Sequence, residues 1–328
     1  MNRRTIIAIA VAAVCLLAVP RLIVNEFYVN LASQVLIYAL FALSVNLMLG
    51  YGGMVSLGHA AYLGVAGYTC ILLTIAGYDQ LLAAAAAVAL STAFAVLFGV
   101  LSLRAPGLGF IMITLAIGQI VWGVAYRYND LTGGDNGLRH PERPMPFGFD
   151  IRDAESFYYF TLIVFAIAFF FLWRFDRSPF GASLMGTRDQ PRRMRMLGHN
   201  VYLVRLLTFT FAGFWASIAS ILYVYYNLFL SPHALALQQS AEILLMAILG
   251  GASSLTGPIV GAAIITLVKN VVSSYVERWN TLLGVVFVAV IIFMPYGLVP
   301  GCRELWRRYQ ARRRTDAPDR KQTSEPAA

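Results

Sequence analysis

Gly50-Tyr51-Gly52-Gly53-Met54-Val55-Ser56-Leu57-Gly58-His59 interrupts one of the most apolar regions of the chain. Four of its glycines fall within nine residues. Each costs a helix about 1 kcal/mol relative to alanine, so no stable helix runs through the segment. An apolar window at 31–50 precedes it and another at 59–77 follows; a bilayer core asks for about 20 such residues per span. Broken backbone at that depth survives only when buried in protein or lining a watery cavity, because lipid offers no hydrogen-bond partner. In transporters, half-helix ends of this kind bind the charged groups of small zwitterions. The alternative is a tight turn between packed helices, with Ala60, Ala61, Gly64 and Gly67 allowing close approach. Both readings place the segment within a bundle of membrane helices.

The rest of the chain agrees. Its 328 residues are 59% hydrophobic and 12% charged, with a mean hydropathy of +0.68. A soluble domain is about one-quarter charged, so a cytosolic enzyme, a disordered chain and a disulfide scaffold are excluded. Further apolar windows at 5–24, 81–103, 109–126, 156–174, 202–226, 238–254, 257–275 and 281–299 raise the total to ten. The window at 238–254, with Gln238, Gln239 and Glu242, is the weakest. Met1-Asn2-Arg3-Arg4 opens like a signal peptide, but no small-x-small cleavage pattern follows, which points to an uncleaved first span. The expected fold is an all-α polytopic membrane helix bundle of about ten transmembrane spans. It divides into a first span and short outer connection (1–30), a membrane domain (31–300) and a basic tail of disordered composition (301–328).

Net charge is +9, from 25 Lys and Arg against 16 Asp and Glu. In a soluble protein that suggests nucleic acid; here it reports orientation, and no nucleic-acid partner is expected. The stretch from Arg174 to Arg205 holds seven Arg and two Asp, while 127–155 holds four Arg and six acids. The tail from Arg303 carries seven Arg and one Lys against four acids, including Arg312-Arg313-Arg314, which anionic lipid would attract. The positive-inside rule then puts the basic segments and both termini in the cytoplasm and the 127–155 loop outside. Omitting the 238–254 window would strand the basic tail outside, so parity supports it.

Chemistry is sparse. No Gly-x-x-x-x-Gly-Lys-[Ser/Thr] phosphate loop and no His-Glu-x-x-His occurs. The four histidines (His59, His140, His199, His233) lie in different segments, and Cys15, Cys70 and Cys302 share no short spacing. Neither a metal site nor a disulfide is indicated. The intramembrane ionisable candidates are His59, Arg205, Glu242 and Lys269. His59 and Arg205 start their windows, and Lys269 lies near a window's outer end, where it can snorkel. Glu242 is placed either to line a path or to sit as an interfacial carboxylate.

Two long loops carry pattern. Leu131-Thr132-Gly133-Gly134-Asp135-Asn136-Gly137 combines turn residues into a backbone nest, read either as a docking surface for an extracytoplasmic partner or as a turn-rich loop. In the basic 175–201 loop, Pro179 opens a helix, Leu184, Met185, Met194 and Leu197 offer apolar contacts, and Gly198 stops it. Such an amphipathic helix fits a groove on a partner. One echo joins Gly52-Gly53-Met54-Val55-Ser56-Leu57 to Gly250-Gly251-Ala252-Ser253-Ser254-Leu255, at the same ends of two windows expected to run the same way. It is either a parallel pseudo-repeat or chance in a Gly-rich chain.

These segments together resemble the inner-membrane permease subunits of ABC importers for branched-chain amino acids, of the M type. The resemblance rests on Asn46-Leu47 with Gly50 to Ala60, on Leu131 to Gly137, on Ile243-Leu244-Leu245-Met246-Ala247-Ile248-Leu249-Gly250-Gly251 and on Thr256-Gly257-Pro258. The basic loop is similar to the family's coupling segment at Gly181, Leu184, Arg188, Asp189 and Gly198. It departs where the family commonly has Asn-Glu and paired Ala: here stand Gln190-Pro191 and Arg192-Arg193-Met194. Pro191 would break or kink a helix at that point. Urea and short-amide importers use sister permeases with very similar motifs.

The resemblance implies a non-enzymatic transport subunit in the bacterial inner membrane, with no cofactor of its own. ATP and Mg would bind two partner ATPase subunits, a second permease subunit would complete the path, and a periplasmic binding protein would deliver substrate. Arg188, Asp189, Arg192 and Arg193, with Gly181, Leu184 and Gly198, would couple to an ATPase. Thr132, Gly133, Gly134, Asp135, Asn136 and Gly137 would face the binding protein. Asn46, Gly52, Gly53, Ser56, Gly58, His59 and Glu242 would lie near the substrate path. A self-sufficient secondary carrier or channel is the competing class.

Overall fold

The computed structural model of the chain describes residues 20–21, 25–141, 143, 150–252, 254–272, 281, 284–285, 288, 292 and 297–301. Most of the expected first span (5–24), most of the expected last span (281–299), Cys15, Cys302 and the tail beyond 301 lie outside the described residues.

Asn25 accepts the Phe27 amide through its side chain at 3.0 Å and opens α1, Glu26–Asn46. A π-helical turn, Leu47–Tyr51, extends α1 before the chain leaves helix altogether. It resumes in α2, Ala60–Ile75, followed by α3, Gln80–Ser102, and α4, Leu108–Arg127. The one-turn α5, Asn129–Thr132, leads toward α6, Ala154–Asp176. Two short helices, α7 (Pro179–Asp189) and α8 (Pro191–Met196), precede the long α9, Val201–Asn227. α10, Leu237–Gly250, and α11, Gly257–Val272, follow. The described structure is all-α except for a two-residue pairing of β1 (Leu138–Arg139) with β2 (Phe229–Leu230), antiparallel, with Leu138 opposite Leu230.

Among the described residues, five helices are long and apolar enough to cross a membrane: 26–51, 80–102, 108–127, 154–176 and 201–227. α1 with its π turn forms the axis of the bundle, since 83% of its apolar window is buried inside protein against 28% for α3 and 22% for α4. The peripheral helices turn Leu90, Leu97, Met112, Ile120, Ile163 and Phe170 outward. In water such a belt would cost about 25 cal/mol per Å² of exposed apolar surface; in lipid it costs nothing. The chain is thus a multi-pass membrane helix bundle.

Three apolar helices are shorter: α2, α10 and α11. At 1.5 Å per residue, the 16 residues of α2 and the 14 of α10 reach only about 24 and 21 Å, less than a hydrocarbon core of about 30 Å. The missing length is supplied by non-helical chain that folds back into the bundle. After Gly53, the Leu57 amide donates to Thr114 Oγ1 (3.2 Å) in the second turn of α4, and the Ala60 amide donates to Ser240 Oγ (2.9 Å) in the first turn of α10. Before α10, Leu235 of the 232–235 turn packs on Gly64 of α2. The weakness of the 238–254 window has a related origin: Leu237 and Gln238 are exposed, while neighbouring side chains, not lipid, cover Ser240 and Glu242.

Helix directions follow from side-chain pairs. Asn46 donates to the Ser254 carbonyl (3.2 Å) and Asn270 to Gln34 Oε1 (2.9 Å), so α1 and α11 are antiparallel. Lys269 reaches Glu242, and Gly261 lies against Met246 and Gly250, so α10 and α11 are antiparallel as well. α1 and α10 therefore run the same way and bring both Gly-Gly breaks to one end of the bundle. That end also carries the basic 177–200 segment, since Arg188 reaches Gly50. The opposite end carries β1, β2 and the acidic loop.

Ser240→Ala tests the re-entrant segment. It would leave the buried Ala60 amide without an acceptor and should destabilise the chain by about 1–3 kcal/mol, read as a lower melting temperature in detergent. Ser240→Thr, which keeps the hydroxyl, should retain most of the stability.

Candidate functional site

At the basic end, the widened turn Leu47–Tyr51 runs into Gly52 and Gly53. Gly53 takes φ +65°, a left-handed conformation that side chains rarely adopt. Gly50 is required for a different reason: a Cβ there would collide with the Ala252 carbonyl of the second break. The two Gly-Gly segments therefore pack directly on one another, and Asn46 ties them through Ser254. Asn46 Oδ1 itself is buried without a partner among the described residues.

Helix α7 docks under this junction. Ser178 caps it by accepting the Gly181 amide at 3.1 Å, and Pro179 occupies its first turn, as expected from the sequence. Arg188, in its last turn, donates from Nη1 to the Gly50 carbonyl. The stem of Arg188 lies along Gly53, where an added Cβ would come within 2.9 Å of Cγ. Its Nε stands 3.5 Å from Asp189 Oδ1 at the surface. Leu184 is fully buried with Tyr51 and Val204, against Phe175, Phe180 and Leu255. Gly181 is buried against the end of α6, where a Cβ would come within 2.7 Å of the Asp176 carbonyl oxygen.

Pro191 does separate two helices, with Gln190 at φ −145° between them. Met185, Arg188, Asp189, Arg192, Arg193, Arg195, Met196, Leu197 and Gly198 are among the residues that remain exposed. The structure thus brings Gly52, Gly53, Leu184 and Arg188 together and leaves Arg192, Arg193 and Gly198 apart from them. Gly198, at φ +84°, ends the segment.

The path candidates divide. Ser56 and His59 are buried, and His59 Nε2 pairs with Ser44 Oγ at 3.0 Å while its ring stands edge-on to Tyr62, 5.0 Å between centroids. Gly58 lies against Thr114 and Gly118 of α4. Glu242 belongs elsewhere, between α10, α11 and α1. Both of its carboxylate oxygens accept from Lys269 Nζ at 3.0 Å, and Lys269 also lies 5.9 Å above the Tyr38 ring. Lys269 therefore turns inward to a carboxylate instead of snorkelling outward. At 27 residues' separation nothing in the local pattern signals this pair; only the rarity of charge in apolar windows marks its members.

At the opposite end Thr132 and Gly134 are buried, and the Thr132 hydroxyl is shared between the Ala125 carbonyl of α4 and the Tyr128 carbonyl, 2.6 and 2.7 Å away. Gly133 and Gly137 are half-buried, while Asp135 and Asn136 are exposed. Asp135 Oδ1 faces His233 Nε2 at 3.4 Å. The loop is anchored to the α9–α10 connection through β1 and β2. No three His, Cys, Asp or Glu side chains gather to hold a metal ion among the described residues.

The break, the short helix clamped beneath it and the Gly-rich turn at the far end belong to a membrane permease subunit. Residues 27–295 match the family described as branched-chain amino acid transport system, permease component, and the chain belongs to it. Among its relatives is the high-affinity branched-chain amino acid transport system permease protein LivM of Salmonella typhimurium, 27% identical over 306 residues, covering 85% of this chain and 72% of the relative. LivM of Escherichia coli K12 is 26% identical over the same shares. No solved structure matches the chain. Membership makes it a transport subunit that works with other ABC components.

Glu242→Gln should strand the Lys269 ammonium in a mostly buried site and destabilise the chain by about 3 kcal/mol, near the low end for a broken buried pair because Lys269 keeps some exposure. The paired change Glu242→Gln with Lys269→Met should recover most of the loss in a thermal unfolding assay. Equal stability of single and double variants would deny the pair its role.

Proposed function

We propose that the chain forms half of the membrane path of an ATP-driven importer that carries branched-chain or related hydrophobic amino acids into the bacterial cytoplasm. The observation that carries this reading is the family match over 27–295. The path would be completed by a second permease subunit. Two ATPase subunits, binding ATP and Mg, would sit at the basic end, and a periplasmic binding protein would deliver substrate at the other. Ten spans with both termini in the cytoplasm agree with this arrangement, because the basic segment then faces the ATPases.

Contact geometry supports a mechanical role for α7. Its exposed Met185 and the α8 residues Arg192, Arg193 and Met196 offer apolar and cationic contacts to an ATPase groove. Arg188 carries any displacement of α7 to the Gly50 carbonyl. That carbonyl lies where the two breaks touch, so motion there shifts both short-helix connections together. Asp135 and Asn136 would meet the binding protein, with Thr132 and the glycines shaping the loop beneath them. A secondary carrier driven by protons or sodium is disfavoured, because Glu242 is already neutralised by Lys269.

Leucine uptake into vesicles containing the chain with its partner permease, ATPases and binding protein tests the proposal directly. Uptake should require all components and ATP. Arg188→Ala should lower it about tenfold or more, as expected for losing a charged hydrogen bond, while the ATPases still co-purify. Arg188→Lys, which keeps the charge but not the planar fork, should recover only part. Uptake by the chain alone under an ion gradient would establish the carrier reading instead.

A further inference from the structure

A pocket of about 380 Å³ opens at the basic end, between the α3–α4 turn and the start of α9. Arg104 comes from the turn, Arg195 and His199 from α8 and the bend after it, and Asn200, Tyr202 and Arg205 from the start of α9. Among the described residues, no Asp or Glu lines it. Arg195 and Arg205 stand close enough for their charges to repel. The N-terminal end of the 27-residue α9 adds the positive pole of its dipole. Three guanidiniums gathered around a helix N-terminus without a carboxylate call for an anion.

Arg205 is prepared for one. Its Nη2 donates to the Thr187 carbonyl at 2.9 Å, which fixes the guanidinium at the pocket wall. A phosphate oxygen in the pocket would accept from this fixed guanidinium and form a charge-assisted bond. The surroundings say where the phosphate comes from. Leu101, Leu108, Leu203 and Leu207, on the flanking turns of α3, α4 and α9, are all exposed. Cations placed at the rim of a lipid-facing apolar surface meet headgroups above and acyl chains below.

We propose that this pocket binds the phosphodiester of an anionic phospholipid. The bound headgroup neutralises the Arg104, Arg195 and Arg205 cluster. Through the Arg205 contact to Thr187 it also braces α7, one residue before Arg188. The site is distinct from the exposed Met185, Arg192 and Arg193 surface assigned above to the ATPase, and the membrane itself would thereby become a partner of the coupling segment.

Native mass spectrometry of the assembled importer tests this, with the complex exposed to equal amounts of phosphatidylglycerol and phosphatidylcholine. Phosphatidylglycerol should be retained preferentially by the unaltered chain. Arg104→Gln and Arg195→Gln, both at exposed positions tolerant of change, should each lower that retention about fivefold, the worth of one arginine at an anionic surface. Arg127→Gln, at the opposite end, should leave it intact, and excess inorganic phosphate should not displace the lipid. Equal retention of the two lipids, or displacement by inorganic phosphate, would overturn the proposal. So would unchanged lipid retention with loss of ATPase co-purification in Arg104→Gln or Arg195→Gln, which would give the pocket to a protein partner.

Discussion

A backbone amide at membrane depth must find an acceptor inside the protein, and the architecture around residues 52–60 follows from that requirement. Lipid cannot solvate the donors released when α1 ends in a π turn and the chain folds back. Thr114, Ser240 and the Ser56 hydroxyl take up the amides of Leu57, Ala60 and Gly58, while Ser44 holds the His59 ring. Each acceptor comes from a different part of the fold: α1, α4, α10 or the segment itself. The break is therefore cross-braced by three helices, and those helices are held in register by the break.

The same economy governs charge. Within the apolar helices Glu242 and Lys269 neutralise each other, while Arg188 and Arg205 reach backbone carbonyls at the basic end. Carbonyls are the acceptors left over where helices end or widen. Arg188 thus reads the π turn of α1, and Arg205 reads the C-terminal turn of α7. The Arg188 contact links the segment expected to meet an ATPase to the π turn that extends α1, and the Arg205 contact ties that segment to α9. A movement of α7 has a short, hydrogen-bonded route into the bundle.

Much of this was legible beforehand. Hydrophobic windows located α1, α3, α4, α6 and α9 to within a few residues, because a bilayer imposes both length and composition on a spanning helix. Ser178-Pro179 marked the start of α7, Pro191 the break after it, and the crowded glycines the end of α1, since capping and backbone freedom are local properties. Two expected spans proved shorter than the membrane. Hydropathy counts apolar residues but cannot tell lipid from neighbouring protein, and Ser240 and Glu242 near the start of α10 are buried in protein. Leu184 looked like a partner contact because amphipathic spacing shows which face is apolar, not whether the protein's own core already covers it.

What the sequence determined by itself was the class of structure, the position of the break and the separation of basic from acidic loops. Each depends on residues near one another in the chain. Only the tertiary structure decided that the two Gly-Gly segments touch, that Arg188 holds Gly50, that Lys269 turns inward to Glu242, and that Arg104, Arg195 and Arg205 share a pocket. Those are contacts between residues 10 to 208 positions apart. They are set by how helices pack and by which buried polar groups find partners, and no local pattern encodes that.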